Sequence, residues 1–267
     1  MSNDLVTILR ELAKLPALLQ EIYGDLAKPG VTQVGKALGT VLQTGNTLLL
    51  PVSLANERAR LIVEKNLERY RQQLEDIPPD QISDVPPEIG VPIAEKLTYL
   101  SNDQLSELYI NLLAKASTYA TANVAHPSFV NVINNLSPDE ALILKTMRGV
   151  DAIPFLEIKL TKKNANEFLV SAPLLTGIED RVHLAFPANI VAYFSNLEGL
   201  GIVHIRRDVH IVRPGLYEKL NEIYKNMIEA IPCDKNIYDM SITNCKIDIT
   251  SFGQLFIQAC TTKLNET

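Results

Sequence analysis

Apolar residues recur at helical spacing through most of the first half of the chain. Leu5, Ile8, Leu12 and Leu15 fall three or four positions apart, which predicts an amphipathic helix over residues 4–27, kinked at Pro16. Pro29-Gly30 breaks it. Val31, Val34, Leu38, Val41 and Leu42 then form one apolar stripe, with Gly35 and Gly39 on another side of the same helix. From Leu54 to Glu75 the pattern turns charged. Its seam narrows to Val63, Leu67, Tyr70 and Leu74, which asks for a partner helix. Arg60–Glu64 and Arg71–Glu75 are i, i+4 pairs that favour helix. Residues 77–92 carry Pro78, Pro79, Pro86, Pro87 and Pro92 and read as an extended connector, pinned to the surface by Ile82, Val85, Ile89 and Val91. Further helices are expected around Ile93–Leu100, from a Ser101-Asn102-Asp103-Gln104 capping box to Tyr119, and around Phe129–Leu136.

The pattern changes at Ser137-Pro138-Asp139-Glu140. Ser137 suits the N-cap, Pro138 the first helical position, and Glu140 the return bond of a capping box, with Leu136 stapling onto Ala141. Beyond it lie two short strand candidates, Phe155–Leu160 and Glu167–Ala172, around a polar turn. A helix from Pro187 through Val191, Phe194 and Leu197 runs into Leu200-Gly201-Ile202. Ile202–Arg206 and Val209–Arg213 alternate like the arms of a hairpin, Pro214–Ala230 is helical, Lys246–Thr250 is a short strand, and Phe252, Leu255, Phe256, Ala259 and Cys260 mark a last helix.

This order predicts a mainly α protein: a helical N-terminal half followed by a winged-helix-like α+β C-terminal domain with insertions. The expected boundaries are 1–76 for the first helices, 77–92 for the connector, 93–136 for a helical module and 137–262 for the winged-helix-like domain, with 155–172 and 231–245 as insertions. The winged-helix comparison is a fold-level analogy, and that fold serves DNA binding and protein contacts alike.

Composition sharpens this picture in two places. Between Lys28 and Glu57 the one charged residue is Lys36, and the length approaches that of a membrane span. Thr32, Gln33, Thr40, Gln43, Thr44, Asn46 and Thr47 make it polar for one. It reads as a helix buried among others, and alternatively as a segment that self-associates or meets a membrane in an activated state, with Gly35, Gly39, Leu42 and Leu49 as its key residues. The net charge of −6 argues against bulk nucleic-acid binding, yet His204, Arg206, Arg207, His210 and Arg213 gather on the expected hairpin. On a wing they would contact phosphates, which makes a nucleic-acid-binding regulator the alternative function. The three cysteines, Cys233, Cys245 and Cys260, show no C-x-x-C spacing, which suits a reducing cytosol and offers no zinc motif. The N-terminus lacks a positive region followed by an apolar core, so the expectation is a cytoplasmic protein, peripheral to a membrane when activated.

Catalytic signatures are absent from the sequence: no P-loop, G-x-S-x-G, H-E-x-x-H or Rossmann glycine set. His126 and Ser128, two positions apart, would point to different helix faces. They are expected, with Asn123, to satisfy backbone groups at a turn. No enzyme activity, metal or cofactor is expected, and the partner is expected to be another protein or a second copy.

Several stretches taken in order resemble a known family. They are Pro29 through Pro51 with Gly35, Gly39 and Leu50-Pro51; Ile77-Pro78; Pro86-Pro87-Glu88-Ile89-Gly90-Val91-Pro92; and Leu108 to Ala116. They continue with His126-Pro127-Ser128-Phe129 to Leu136-Ser137-Pro138-Asp139-Glu140-Ala141, Leu197-Glu198-Gly199-Leu200-Gly201-Ile202, and Ile249-Thr250-Ser251-Phe252-Gly253. Their order and spacing resemble the abortive-infection alpha (Abi-alpha) family, bacterial proteins associated with defence against phage. The resemblance spans residues 25–262 and is most specific from His126 to Ala141. It implies a role in which a phage-sensing cell stops growing or dies before the phage matures, and it implies no catalytic residues.

Overall fold

A helix wrapped by protein on all sides must be apolar all round, and residues 108–116 come close to that. In the computed structural model, which describes residues 30–44, 57–165 and 167–266, every residue from Leu108 to Ala116 is buried. The expected helix over 4–27 lies outside the described residues. The chain divides into two compact units, Met1–Ala141 with Phe256–Thr267, and Leu142–Leu255.

The helices of the described residues are α1 (Val31–Thr44), α2 (Glu57–Leu74), α3 (Pro87–Leu97), α4 (Asp103–Ala116), α5 (Ser128–Asn134), α6 (Pro138–Thr146), α7 (Ile190–Gly199), α8 (Leu216–Glu229) and α9 (Ser251–Thr261). The helical unit holds α1 to α5, and the division falls inside α6 and inside α9. Helix α4 is its axis. The buried stripe of α1 (Val31, Val34, Ala37, Leu38, Val41), the seam of α2 (Val63, Tyr70, Leu74) and Ile89, Ile93 and Leu97 of α3 supply the surrounding core. Phe129 of α5 meets Phe256 of α9 edge-to-face at 5.2 Å.

Three local expectations change. Residues 77–92 are not extended throughout. A 3₁₀ turn at Pro79–Gln81 is followed by α3, whose first residue is Pro87; a proline costs nothing at the first helical position, where no intrahelical N–H bond is made. The cap of α4 is Asn102 and not Ser101: its side chain accepts from the N–H groups of Gln104 and Leu105, both at 3.1 Å. And α4 stops at Ala116, where Ser117 turns its hydroxyl back onto the Leu113 carbonyl at 2.6 Å.

The second unit is built on a four-stranded antiparallel sheet in the order β2-β1-β4-β3. The strands are β1 (Ala152–Lys162), β2 (Phe168–Leu175), β3 (Val203–Arg206) and β4 (Tyr238–Ile249). β1 pairs with β4 from Ala152↔Asp248 to Lys162↔Tyr238. Leu156 and Ile158 of β1 and Ala172 and Leu175 of β2 pack on Tyr217, Leu220, Tyr224 and Ile228 of α8. The stretches 155–172 and 231–245, expected as insertions, therefore supply the central strands. The expected 202–213 hairpin does not form: β3 pairs with β4 from Val203↔Ile249 to Arg206↔Lys246, and residues 207–213 carry no strand. The fold is a helical unit joined to an α+β unit with an antiparallel sheet, and the wing hairpin at 202–213 is absent from it.

Two glycines test the packing of α1 in opposite directions. A Cβ on Gly90 would lie 2.2 Å from Val41 Cγ2, so Gly90→Ala is expected to lower stability by about 1–3 kcal/mol. A Cβ on Gly39 would meet nothing within 4 Å, and Gly39→Ala in mid-helix should raise stability by up to about 1 kcal/mol. Urea midpoints moving in opposite directions are the expected result; a shift of the same sign in both contradicts this packing of α1.

Candidate interaction surfaces

Helix α1 carries the first set of expected functional residues. Its apolar stripe is buried in the protein's own core, and Gly35 and Gly39 are half-buried. Lys36, the one charge of the segment, donates to the Pro79 carbonyl at 2.8 Å, and Gln33 donates to the Ile77 carbonyl at 3.2 Å. The Val85 N–H donates to the Ala37 carbonyl at 3.0 Å. Leu42 lies within the helix. Leu49 lies outside the described residues. Of the described helices, none is long and apolar enough to cross a membrane.

The second set was expected on the hairpin that does not form. Arg206 ends β3 and pairs with Asp208 through two contacts, Nε–Oδ1 at 3.0 Å and Nη2–Oδ2 at 2.8 Å. Arg207 Nε donates to Glu157 Oε2 at 2.7 Å. His204 Nδ1 stands 3.4 Å from Glu198 Oε1, which also accepts the Ile205 N–H at 2.7 Å. His210 stacks edge-on against Tyr217 at 6.1 Å, and Arg213 follows in the strandless loop. The basic residues thus cluster in sequence, and three of them, though exposed or half-buried, lie beside carboxylates of the same protein. Paired guanidinium groups attract phosphate less than free ones.

Glu157 is the residue that pattern reading missed. It sits in β1 beside the buried Phe155, Leu156 and Ile158, and its side chain is 2% exposed. Burial pushes its carboxyl upward, but hydrogen bonds from Lys159 (2.7 Å) and Arg207 outweigh that and hold it below the usual carboxylate range. No sequence-local signal points to the Arg207 contact, because 50 positions separate the two residues.

The most distinctive sequence stretches prove structural. The reciprocal capping box forms: Ser137 N–H donates to Glu140 Oε2 at 2.7 Å, and Glu140 N–H donates to Ser137 Oγ at 3.3 Å. His126 and Ser128 do meet, contrary to the spacing argument, with Nδ1 and Oγ 2.6 Å apart. Helix α5 begins only at Ser128, so His126 is not helical, and its Nδ1 also takes the Ser128 N–H at 3.1 Å. That is a turn-stabilising contact at an exposed helix start.

Leu-Gly-Ile at 200–202 and Thr-Ser-Phe-Gly at 250–253 lock together. Thr250 Oγ1 donates to the Gly201 carbonyl at 2.6 Å and accepts the Gly253 N–H at 2.9 Å, capping α9. Gly201 has φ +75°, and a Cβ on Gly253 would lie 2.0 Å from the Ile202 carbonyl oxygen. Among the described residues no group of three or more His, Cys, Asp or Glu side chains is placed to hold a metal.

The profile of one protein family, described as abortive infection alpha, matches residues 62–260. The chain belongs to the abortive infection alpha family. The match runs from α2 to the end of α9 and takes in the capping box, Gly90 and the 200–253 lock. It leaves out α1, so the Pro29–Pro51 part of the resemblance lies outside it. No curated protein and no solved structure matches the chain.

Two substitutions probe these contacts. Glu157→Gln is expected to cost about 2 kcal/mol at neutral pH, the scale of a lost charge-assisted hydrogen bond. Because the folded carboxyl titrates below its unfolded value of about 4.3, that stabilisation is present above pH 4.3 and is lost as pH falls through the folded value. Denaturation curves of the variant and the wild type should therefore converge in acid, and a gap that persists at the lowest pH contradicts the ion-pair origin. Gly253→Ala forces a methyl against backbone and should lower stability by about 3 kcal/mol or more, read as a fall in Tm.

Proposed function

We propose that the protein defends bacteria against phage by abortive infection, acting through protein or membrane contacts and not through catalysis. The family match over residues 62–260 carries this reading. The geometry supports a contact-based mechanism. The sequence motifs that mark the family fill structural roles as caps and close packings, and the basic residues of the 204–213 stretch are engaged largely with the protein's own carboxylates. The winged-helix comparison and its nucleic-acid reading drew on a hairpin over that stretch, where β3 pairs with β4 instead.

Within this reading the Gly35–Gly39 side of α1 is the contact face for a second copy or for a membrane, in a cytoplasmic protein that becomes peripheral to the membrane on activation. Gly35 and Gly39 leave that side of the helix narrow, which allows another helix or a bilayer surface to approach closely.

Gly39 permits a clean test because a side chain placed there meets nothing within 4 Å. Wild-type protein expressed in a phage-sensitive host is expected to reduce plaque number and arrest infected cells. Gly39→Lys is expected to fold with an unchanged circular-dichroism spectrum and to lose protection. Cell fractionation before and after infection should show the wild type moving to the membrane or into larger particles, and the variant staying behind. Full protection by folded Gly39→Lys removes α1 from the mechanism; no protection by the wild type removes the defence role.

A further inference from the structure

The α+β unit has a sheet edge, β4 from Asp239 to Asn244, along which no strand of the described residues pairs. β3 reaches along β4 only from Ile249 to Lys246. From Asn244 back to Tyr238, β4 is paired with β1 on one side and has no strand on the other. Asp239, Met240, Ser241, Ile242 and Asn244 are all exposed, as residues on both faces of an open edge must be. Natural proteins shield such edges, because a row of unpaired N–H and C=O groups is a template for another strand.

Beside this edge runs a groove of about 420 Å³ between β4 and α8. Its apolar side chains are Ile228 and Ile242, and Met240, 42% exposed, lies two residues further along the same face of β4. Its rim is acidic: Glu218, Glu222 and Glu229 stand against the single ammonium of Lys225. Asn221 completes the wall and is anchored to the Tyr217 carbonyl at 3.0 Å.

We propose that this edge and groove bind an extended peptide segment of a partner protein in which apolar residues alternate with lysine or arginine. The segment adds to β4 as a further strand alongside residues 239–244. Its cationic side chains fall on the α8 side, with their methylene stems over Ile242 and Ile228 and their charges against Glu218, Glu222 and Glu229, and its apolar side chains fall on the opposite face of the sheet. Main-chain hydrogen bonds then supply affinity, and alternate side chains supply selectivity. Charge complementarity selects this occupant over a second copy of the chain, because two identical grooves would bring like carboxylates face to face. The surface is independent of the defence reading: peptide binding in solution and protection of cells can fail separately.

The test uses the full chain and two labelled probes, a short peptide alternating lysine with valine and its glutamate counterpart, followed by fluorescence anisotropy. The lysine peptide is expected to bind saturably and less tightly as salt rises, and the glutamate peptide is expected not to bind. Ile242→Lys and, separately, Glu222→Lys should each weaken binding by about tenfold or more, whereas Lys225→Glu should tighten it. Glu88→Lys, an exposed charge reversal in the helical unit, should change nothing, which separates the groove from general attraction to an acidic protein. Ile242 is 41% exposed, so the variant should keep the wild-type circular dichroism; if it does not, the opposite shifts of Glu222→Lys and Lys225→Glu still decide. Absence of lysine-peptide binding, equal binding of both probes, or affinity unchanged by the groove substitutions overturns the proposal. So does sedimentation showing wild-type dimers that Ile242→Lys dissociates, since that makes the occupant a second copy.

Discussion

From Leu108 to Ala116 helix α4 is buried on every side, and polar side chains on such a stretch must find partners inside the protein. Asn111, fully buried, sets the pattern. Its Nδ2 donates to the Cys260 carbonyl and its Oδ1 accepts from Gln73 Nε2, both at 2.8 Å, while Gln73 Oε1 accepts the Leu264 N–H at 3.0 Å. These three bonds span 149, 38 and 191 positions, so one chain of amides holds the C-terminal residues to α2 and α4. Leaving one such buried amide unpaired costs about 1–3 kcal/mol, more than most single surface contacts contribute. Lys115, one turn further along α4, is held to the Lys263 carbonyl at 3.2 Å, and burial lowers its pKa. The C-terminus thus belongs to the helical core by hydrogen bonding as well as by packing.

Close backbone approaches do the corresponding work elsewhere. Gly90 lets Val41 of α1 sit against α3, and Gly253 lets α9 start against the Ile202 carbonyl. In both places a side chain would occupy space already filled, so the residue type is set by sterics and not by local conformational preference. Thr250 adds direction to the second contact by bonding both Gly201 and Gly253.

Local signals in the sequence were legible where the physics is local. The Ser137 capping box, the buried face of α5 with Phe129, Val130 and Ile133, the buried Leu136 just beyond it, and the stripe of α1 follow from helical spacing and capping chemistry, which act within a few residues. The β1–β2 pair was visible from its apolar arms and polar turn. Long-range pairing was not. β4 begins with Tyr238-Asp239-Met240-Ser241, an exposed, weakly apolar run, so nothing local marks it as a partner of β1, and its pairing is set by residues some 80 positions away. For the same reason residues 209–213 alternate like a strand yet stay unpaired, since β3 takes its neighbour from β4. The His126–Ser128 contact escaped because the spacing rule holds only inside a helix, and α5 starts two residues too late for His126 to belong to it.

The charged groups show the same division. A run of His204, Arg206, Arg207, His210 and Arg213 looks like a phosphate-binding patch in one dimension. In three dimensions Asp208, Glu157 and Glu198 lie against it, and each carboxylate offsets part of the positive charge that would draw another anion. The acidic wall of α8 has the converse arrangement: three glutamates share one lysine beside an unpaired strand edge. The family match over residues 62–260 takes in the Ser137 capping box and the close contacts at Gly90 and Gly253, which are elements of a scaffold. A scaffold of that kind fixes where surfaces lie without dictating their charge, so what a surface can bind is decided by the side chains it carries and not by the fold.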